Sequence, residues 1–207
     1  MNKRLAIIGS SALGRQIAHQ VSMLDSAFEV VGFFDDFKPA GGDVLGPVDT
    51  VLQKYAEGCF DCLSIGVGYL AMDFRAACAE QFAGRIPLAR IELPGTFIDP
   101  TVEIEEGSVI LTGTMLDQDV KIGRNCFFSL GCSISHESVI GANTYCAPRV
   151  TVCGRCNIGR NVFLGAGCIV RDGIIITDGV VIGAGAVVVK DILAQGVYIG
   201  CPARRLA

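Results

Sequence analysis

An α/β domain with a small parallel sheet, followed by an all-β parallel helix of stacked triangular coils, is the fold this sequence predicts. Three observations predict it. Strand-like and helix-like apolar runs alternate up to Leu93, every sixth residue from Ile98 to Val188 is apolar, and the pattern changes abruptly at Pro94-Gly95. The chain has 207 residues, 51% of them apolar and 18% charged, with a net charge of -4. That length supports one large core or two modest ones, and the apolar fraction excludes a disordered chain. Mild acidity leaves no basic footprint, so nucleic acid is not an expected partner.

The first domain, residues 1–94, reads as a Rossmann-like unit. Lys3 to Ile8 is a first strand rather than a signal peptide, because no small-residue cleavage site follows and the chain runs directly into an amphipathic helix. Leu13, Ile17, Val21 and Leu24 mark that helix. Phe28 to Phe34 forms a second strand closed by Asp35-Asp36, and Val48, Val51, Leu52 and Tyr55 suggest a short helix. Cys62 to Val67 is a third strand, Leu70, Phe74, Cys78 and Phe82 mark another helix, and Leu88 to Leu93 a fourth strand. No apolar run approaches the roughly 20 residues of a membrane span. A cytoplasmic protein with mostly reduced cysteines is the expectation.

The second domain, residues 95–207, is governed by a period of six. Ile98, Ile104, Ile110, Leu116, Ile122, Phe128, Ile134, Ile140, Cys146, Val152, Ile158, Leu164, Val170, Ile176, Ile182 and Val188 are all apolar, with no insertion. At this composition such a run arises by chance about once in 50,000 trials. Mostly small residues stand two positions earlier, from Val102 and Ser108 to Cys168. This is a hexapeptide-repeat parallel β-helix. One hexad makes a short strand and a turn, three make a coil, and residues 18 apart stack at strand spacing, roughly 4.8 Å.

Only two histidines are present. His19 reads as a solvated helix residue. His136 stands at a non-core hexad position, in Ser135-His136-Glu137-Ser138, with Gly154 one coil above and Gln118 one coil below. A glycine there is expected to leave an open slot for a ligand, and imidazole suits removal of a proton near neutral pH. The first loop, Gly9-x-x-x-x-Gly14, lacks the central glycine of a dinucleotide fingerprint. Cys59-x-x-Cys62 and Cys153-x-x-Cys156 have zinc-ligand spacing, but the repeat frame makes most second-domain cysteines packing residues. No metal is expected. Cys132, four residues before His136, is a rival nucleophile, but its corner position directs it inward.

The chain resembles the hexapeptide acyltransferases that include sialic acid O-acetyltransferases and UDP-4-amino-sugar N-acetyltransferases. The matching motifs are Ile8-Gly9-Ser10-Ser11 with Gly14, Gly32 to Lys38 with its Asp35-Asp36 pair, His136-Glu137 before Val139-Ile140-Gly141, Gly183-Ala184-Gly185-Ala186, and the tail Gly200-Cys201-Pro202-Ala203-Arg204. The resemblance implies a left-handed β-helix and an acetyl-CoA-dependent N-acetyltransferase acting on a nucleotide-activated amino sugar by direct transfer. It implies His136 as general base with Glu137 beside it, and Gly9, Ser10, Asp35, Asp36 and Lys38 lining the sugar-nucleotide pocket. Acetyl-CoA would lie between subunits of a homotrimer near Tyr145, Gly154, Ala166, Ala184 and Gly185, its phosphates meeting Lys190, Arg204 and Arg205. The Gly154 N–H would stabilise the oxyanion. Leu13, Ser129 and Tyr145 depart from the family pattern, as does Gly66-Val67-Gly68. O-acetylation of a sialic acid or similar sugar is the alternative activity, and a catalytically silent scaffold the alternative outside enzymes.

Overall fold

The computed structural model describes residues 2–24 and 27–206. It divides between Pro94 and Gly95 into two compact units.

In the first unit, β1 (Lys3–Ile8), β2 (Phe28–Phe34), β3 (Val44–Gly46) and β4 (Cys62–Ile65) form one parallel sheet in the order β3-β2-β1-β4. Helix α1 (Ala12–Met23) joins β1 to β2, α2 (Val51–Ala56) lies between β3 and β4, and α3 (Met72–Phe82) follows β4. Because β2 and β4 flank β1 on opposite sides, the chain reverses direction across the sheet beside β1. In such sheets ligands enter at the carboxyl ends of the strands around that point. Ile8, Phe34, Leu63, Ile65, Phe60 and Phe82 are core residues between sheet and helices. The fourth expected strand is reduced. Leu88 makes a single bridge to Leu63, and Ile91–Glu92 is a strand of two residues.

The second unit realises the hexad frame residue by residue. Sixteen two-residue strands run from Phe97–Ile98 to Val187–Val188, each ending on one of the apolar positions at the sixfold spacing. Strands 18 residues apart pair in parallel, as in Lys121↔Val139, Phe127↔Tyr145 and Ser133↔Thr151, and they build three faces. Apart from the partly buried Ile98 and Ile104, the large residues fill one continuous core.

The corner residues explain the choice of small side chains, cysteine included. Ser108 Oγ accepts the Cys126 amide at 3.1 Å and donates to the Gly123 carbonyl at 3.1 Å. Ser138 does the same with the Cys156 amide (3.1 Å) and the Cys153 carbonyl (3.0 Å). At equivalent corners the thiols of Cys126, Cys132 and Cys156 point at the carbonyls of Gly141, Ala147 and Arg171, 3.1 to 3.3 Å away. Cysteine here is a serine-sized, weakly donating corner filler. Burial pushes the Cys132 thiol up to about 11 and that of Cys168 up to about 12, so neither is poised as a nucleophile.

From Gly107 to Gly185 each turn places one residue in the left-handed region, which glycine tolerates best and asparagine next. Asn125, Asn143 and Asn161 occupy it on one edge, and their side chains form a ladder with Nδ2–Oδ1 distances of 2.8 Å. Beyond the last hexad, Val197–Ile199 continues one face in parallel, and Arg204–Arg205 folds back on it antiparallel.

Candidate functional site

His136 and Glu137 lie in a turn whose backbone is held from both sides. The Glu137 amide donates to the Gln118 carbonyl below at 3.0 Å, and the His136 carbonyl accepts the Arg155 amide above at 2.9 Å. Glu137 takes φ 58°, a conformation that costs a non-glycine residue about 1–2 kcal/mol. Its side chain turns back to the imidazole, with Oε2 3.0 Å from Nδ1. An ionised carboxylate only accepts, so it fixes the proton on Nδ1 and leaves the Nε2 lone pair as the basic position. The imidazole is 36% exposed, open to a reactant from outside the prism.

Gly154 is where the structure departs from the sequence reading. A β-carbon at Gly154 would fall 2.6 Å from both Cε1 and Nε2 of His136. The space is no open slot. The imidazole itself lies on the bare backbone. Nor is the Gly154 N–H an idle donor, because it already donates to Asp172 Oδ1 at 3.1 Å. Asp172 stands one further coil up the same edge. The sequence reading missed it, although stepping twice by 18 from His136 leads there. Acidic side chains accept backbone amides elsewhere too, as Asp178 Oδ1 does for the turn amide of Arg160 at 2.7 Å and Asp191 Oδ1 for the strand amide of Ile175 at 2.9 Å.

Ala166, Ala184 and Gly185 are exposed, but on a different edge of the prism. One face, with outward residues Phe97, Met115, Ser133, Thr151, Ile169 and Val187, separates them from the His136 edge. Within one chain, these two sets are not brought together. Tyr145 lies on another face, its ring stacked between Phe127 and Phe163 at centroid distances of 4.6 and 5.8 Å. It is only 9% exposed and offers little surface to a ligand. Lys190, Arg204 and Arg205 do converge, lining a cleft of about 290 Å³ at the C-terminal end of the prism. The hairpin after the last hexad brings the two arginines back to Lys190.

In the first unit, Gly9, Asp35 and Asp36 line a cleft of about 420 Å³ with Phe34, Phe37 and Phe74. It lies at the carboxyl ends of β1 and β2. A β-carbon at Gly14 would sit 1.9 Å from the Gly9 carbonyl, so only glycine lets α1 start this close to the loop. Asp35 organises the loop. Its Oδ2 accepts the Ser10 amide (2.9 Å) and hydroxyl (2.5 Å), and its Oδ1 accepts the Phe37 amide (2.9 Å). Burial pushes this carboxyl up, but the Ser10 and Phe37 hydrogen bonds and the Lys38 charge outweigh it and hold it below the usual carboxylate range. Asp36 Oδ1 accepts the Val48 amide at 2.7 Å, and Lys38 Nζ donates to the Ser10 carbonyl at 3.3 Å. Asp35 is thus a loop-building residue, and much of its acceptor capacity is spent inside the protein. Fully buried Arg75, also missed, donates to the Ile65 and Val67 carbonyls and fixes the loop on the cleft's other wall.

A larger recess, about 920 Å³, opens at the amino ends of the strands, but Arg4 and Asp61 in its lining are paired with each other. His19 is exposed on α1. Among the described residues no group of three or more His, Cys, Asp or Glu is placed to hold a metal ion, and no helix is long and apolar enough to cross a membrane.

The bacterial transferase hexapeptide family (six repeats) matches residues 155–190. No curated protein matches the sequence. Among solved structures, the acetyltransferase domain of PglB from Neisseria gonorrhoeae FA1090, in complex with acetyl coenzyme A, is 25% identical with a TM-score of 0.89, over 100% of both chains. PerB from Caulobacter crescentus, in complex with CoA and GDP-perosamine, is 23% identical with a TM-score of 0.86, over 98% of this chain and 97% of that one. WeeI from Acinetobacter baumannii AYE is 20% identical with a TM-score of 0.59, over 98% and 99%.

Proposed function

The chain belongs to the hexapeptide-repeat sugar acyltransferases, and from that premise we propose that it transfers the acetyl group of acetyl-CoA to the amine of a nucleotide-linked amino sugar. The observation that carries this reading is the outward imidazole of His136, with Nδ1 anchored on Glu137 and Nε2 left as base. In the reaction the acceptor nitrogen attacks the thioester carbonyl while Nε2 takes its proton. The tetrahedral intermediate then collapses, the C–S bond breaks, and the imidazolium returns the proton to the departing thiolate of CoA. No acyl-enzyme forms. Glu137 holds the ring in the productive tautomer and balances its transient positive charge.

The first-unit cleft is proposed to hold the nucleotide. Its apolar walls suit a base, and the amino end of α1 beside Gly9 and Ser10 favours an anionic group. The PerB structure carries GDP-perosamine and the PglB structure acetyl-CoA, which supports both halves of the assignment. Charge along the prism favours CoA at its C-terminal end. Residues 95–120 contain Asp99, Glu103, Glu105, Glu106, Asp117 and Asp119 with no Lys or Arg, whereas at the far end Lys190, Arg204 and Arg205 outnumber the single carboxylate of Asp191.

A homotrimer with sites between subunits accounts for the separation of His136 from Ala166, Ala184 and Gly185. The outward row of the intervening face carries no charge, and Phe97, Met115 and Ile169 on it are 57, 51 and 41% exposed. Covering that face with a second copy of the left-handed prism would bring the two edges together across the interface. A cytoplasmic site of action follows from the two proposed co-substrates.

The test is thiol release from acetyl-CoA with a panel of nucleotide-linked amino sugars. His136→Ala is expected to lose about 10²–10⁴ in turnover while still binding acetyl-CoA. Unchanged turnover would remove His136 as the base. Transfer to free sialic acids, without transfer to any nucleotide-linked amine, would replace N- by O-acetylation.

A further inference from the structure

We propose that the Asp172 carboxylate occupies, in the unliganded protein, the hydrogen-bond donor that the acetyl carbonyl of acetyl-CoA takes when it binds. The inference rests on the preceding assignment of the His136 edge to acyl transfer. The Gly154 N–H belongs to the residue on which the imidazole lies, with His136 Nε2 2.6 Å from the position of a β-carbon there. A carbonyl accepting that N–H would therefore have its carbon beside the base that serves the attacking amine, the arrangement an oxyanion donor requires. That same N–H is already given to Asp172 Oδ1 at 3.1 Å.

The contact has the form of the cap that Asp178 makes on Arg160 one coil below it, so capping alone carries no functional meaning. What distinguishes Asp172 is the identity of the amide. Arg160 is not in contact with a base, whereas Gly154 is covered by one. Asp172 is exposed, so its side chain has solvent to turn into when a ligand oxygen displaces it. An N–H bound to a carboxylate is a stronger pair than one bound to a neutral carbonyl. The acetyl group therefore enters against a competitor, and the protein discriminates less between acetyl-CoA and CoA than the free donor would allow.

The experiment is calorimetric binding of acetyl-CoA and of CoA to the full chain and to Asp172→Ala, Asp172→Asn and Asp178→Ala. CoA is the internal control, because removing a negative charge strengthens binding of both anions equally. Only acetyl-CoA carries the acetyl carbonyl, whereas the amide carbonyls of the pantetheine arm are common to both. Asp172→Ala is expected to raise the preference for acetyl-CoA over CoA about fivefold, the size of one net hydrogen bond. Asp172→Asn, which keeps an uncharged acceptor, is expected to fall between it and the wild type. Asp178→Ala, losing an equivalent cap on another edge, should leave the preference unaltered. Equal changes for both ligands, or none, would overturn the competition while leaving the acyl-transfer reading in place. Failure of the unaltered protein to bind either ligand would instead overturn that reading, and the competition with it. The Gly154 amide resonance is a second measure, expected to move in Asp172→Ala without any ligand; an unmoved resonance counts against the contact itself.

Discussion

His136 rests its imidazole directly on the backbone of Gly154, so that no side chain fits between the two. The backbone of Gly154 is outside the left-handed region, and alanine is tolerated there conformationally. The one consequence of Gly154→Ala is displacement of the ring. Misplacing a catalytic group by about 1 Å costs about 10²-fold in rate, whereas the rotamer strain costs stability only about 0.5–1.5 kcal/mol. Steady-state turnover and urea unfolding of the same variant separate the two effects. A fully active Gly154→Ala protein would show that the ring position is irrelevant to the chemistry.

The loop at Ser10 gives a pH signature. Asp35 is held below the usual carboxylate range in the folded state, so its stabilisation is present above its unfolded value, about 4, and is lost as pH falls through the folded value. Asp35→Asn presents an NH₂ to a set of buried donors and is expected to cost about 1–3 kcal/mol at pH 7. The gap from wild type should narrow below about pH 4. A gap that stays constant from pH 7 to pH 3 would mean that the Asp35 charge contributes nothing to the fold.

Asn143 combines a left-handed backbone, φ 59°, with the middle rung of the amide ladder. Asn143→Ala loses both and should cost about 2–4 kcal/mol. Asn143→Gly restores the conformational freedom alone and should recover about 1–2 kcal/mol of it. Equal destabilisation of the two variants would assign the whole effect to the ladder.

Thiol labelling reads the corner cysteines. Of the ten cysteines only Cys201 is exposed, Cys59 and Cys153 are half-buried, and the other seven are buried. At pH 8 one fast-reacting thiol is expected, absent in Cys201→Ser, followed by two slower ones. The buried seven should react only on unfolding, since burial keeps Cys132 and Cys168 protonated. Rapid labelling of Cys132 in the native protein would reopen its candidacy as a nucleophile.

How much of this was legible in the sequence differs between the two units for a physical reason. In the prism each hexad is a strand and a turn, and stacking repeats one contact every 18 residues, so periodicity alone places Ile134, Cys132 and His136 inside, at the corner and outside. In the first unit, strand pairing decides. Val44–Gly46 is too short to signal itself and becomes a strand because it pairs with β2, with Phe33 opposite Val44. Leu88 to Leu93 has strand composition but reaches the sheet through one bridge. The site divides the same way. His136 and Glu137 are adjacent in sequence, and their contact is legible from it. Asp172 acts through the amide of Gly154, and Arg204 and Arg205 reach Lys190 only through the hairpin. Asp172 does stand on the 18-residue step, but its side-chain contact with that amide is not encoded in the period, and the hairpin lies beyond the last hexad.

That hairpin also bears on how one face of the solenoid ends. A stack of parallel strands presents an unsatisfied row of backbone groups at its last coil, a template on which another chain can polymerise. By turning Arg204–Arg205 antiparallel across Val197–Ile199, the protein ends that row with a strand running the wrong way to seed another coil. It also places two like charges where a second molecule would have to dock. On that face, growth of the stack by a further parallel coil is thereby disfavoured.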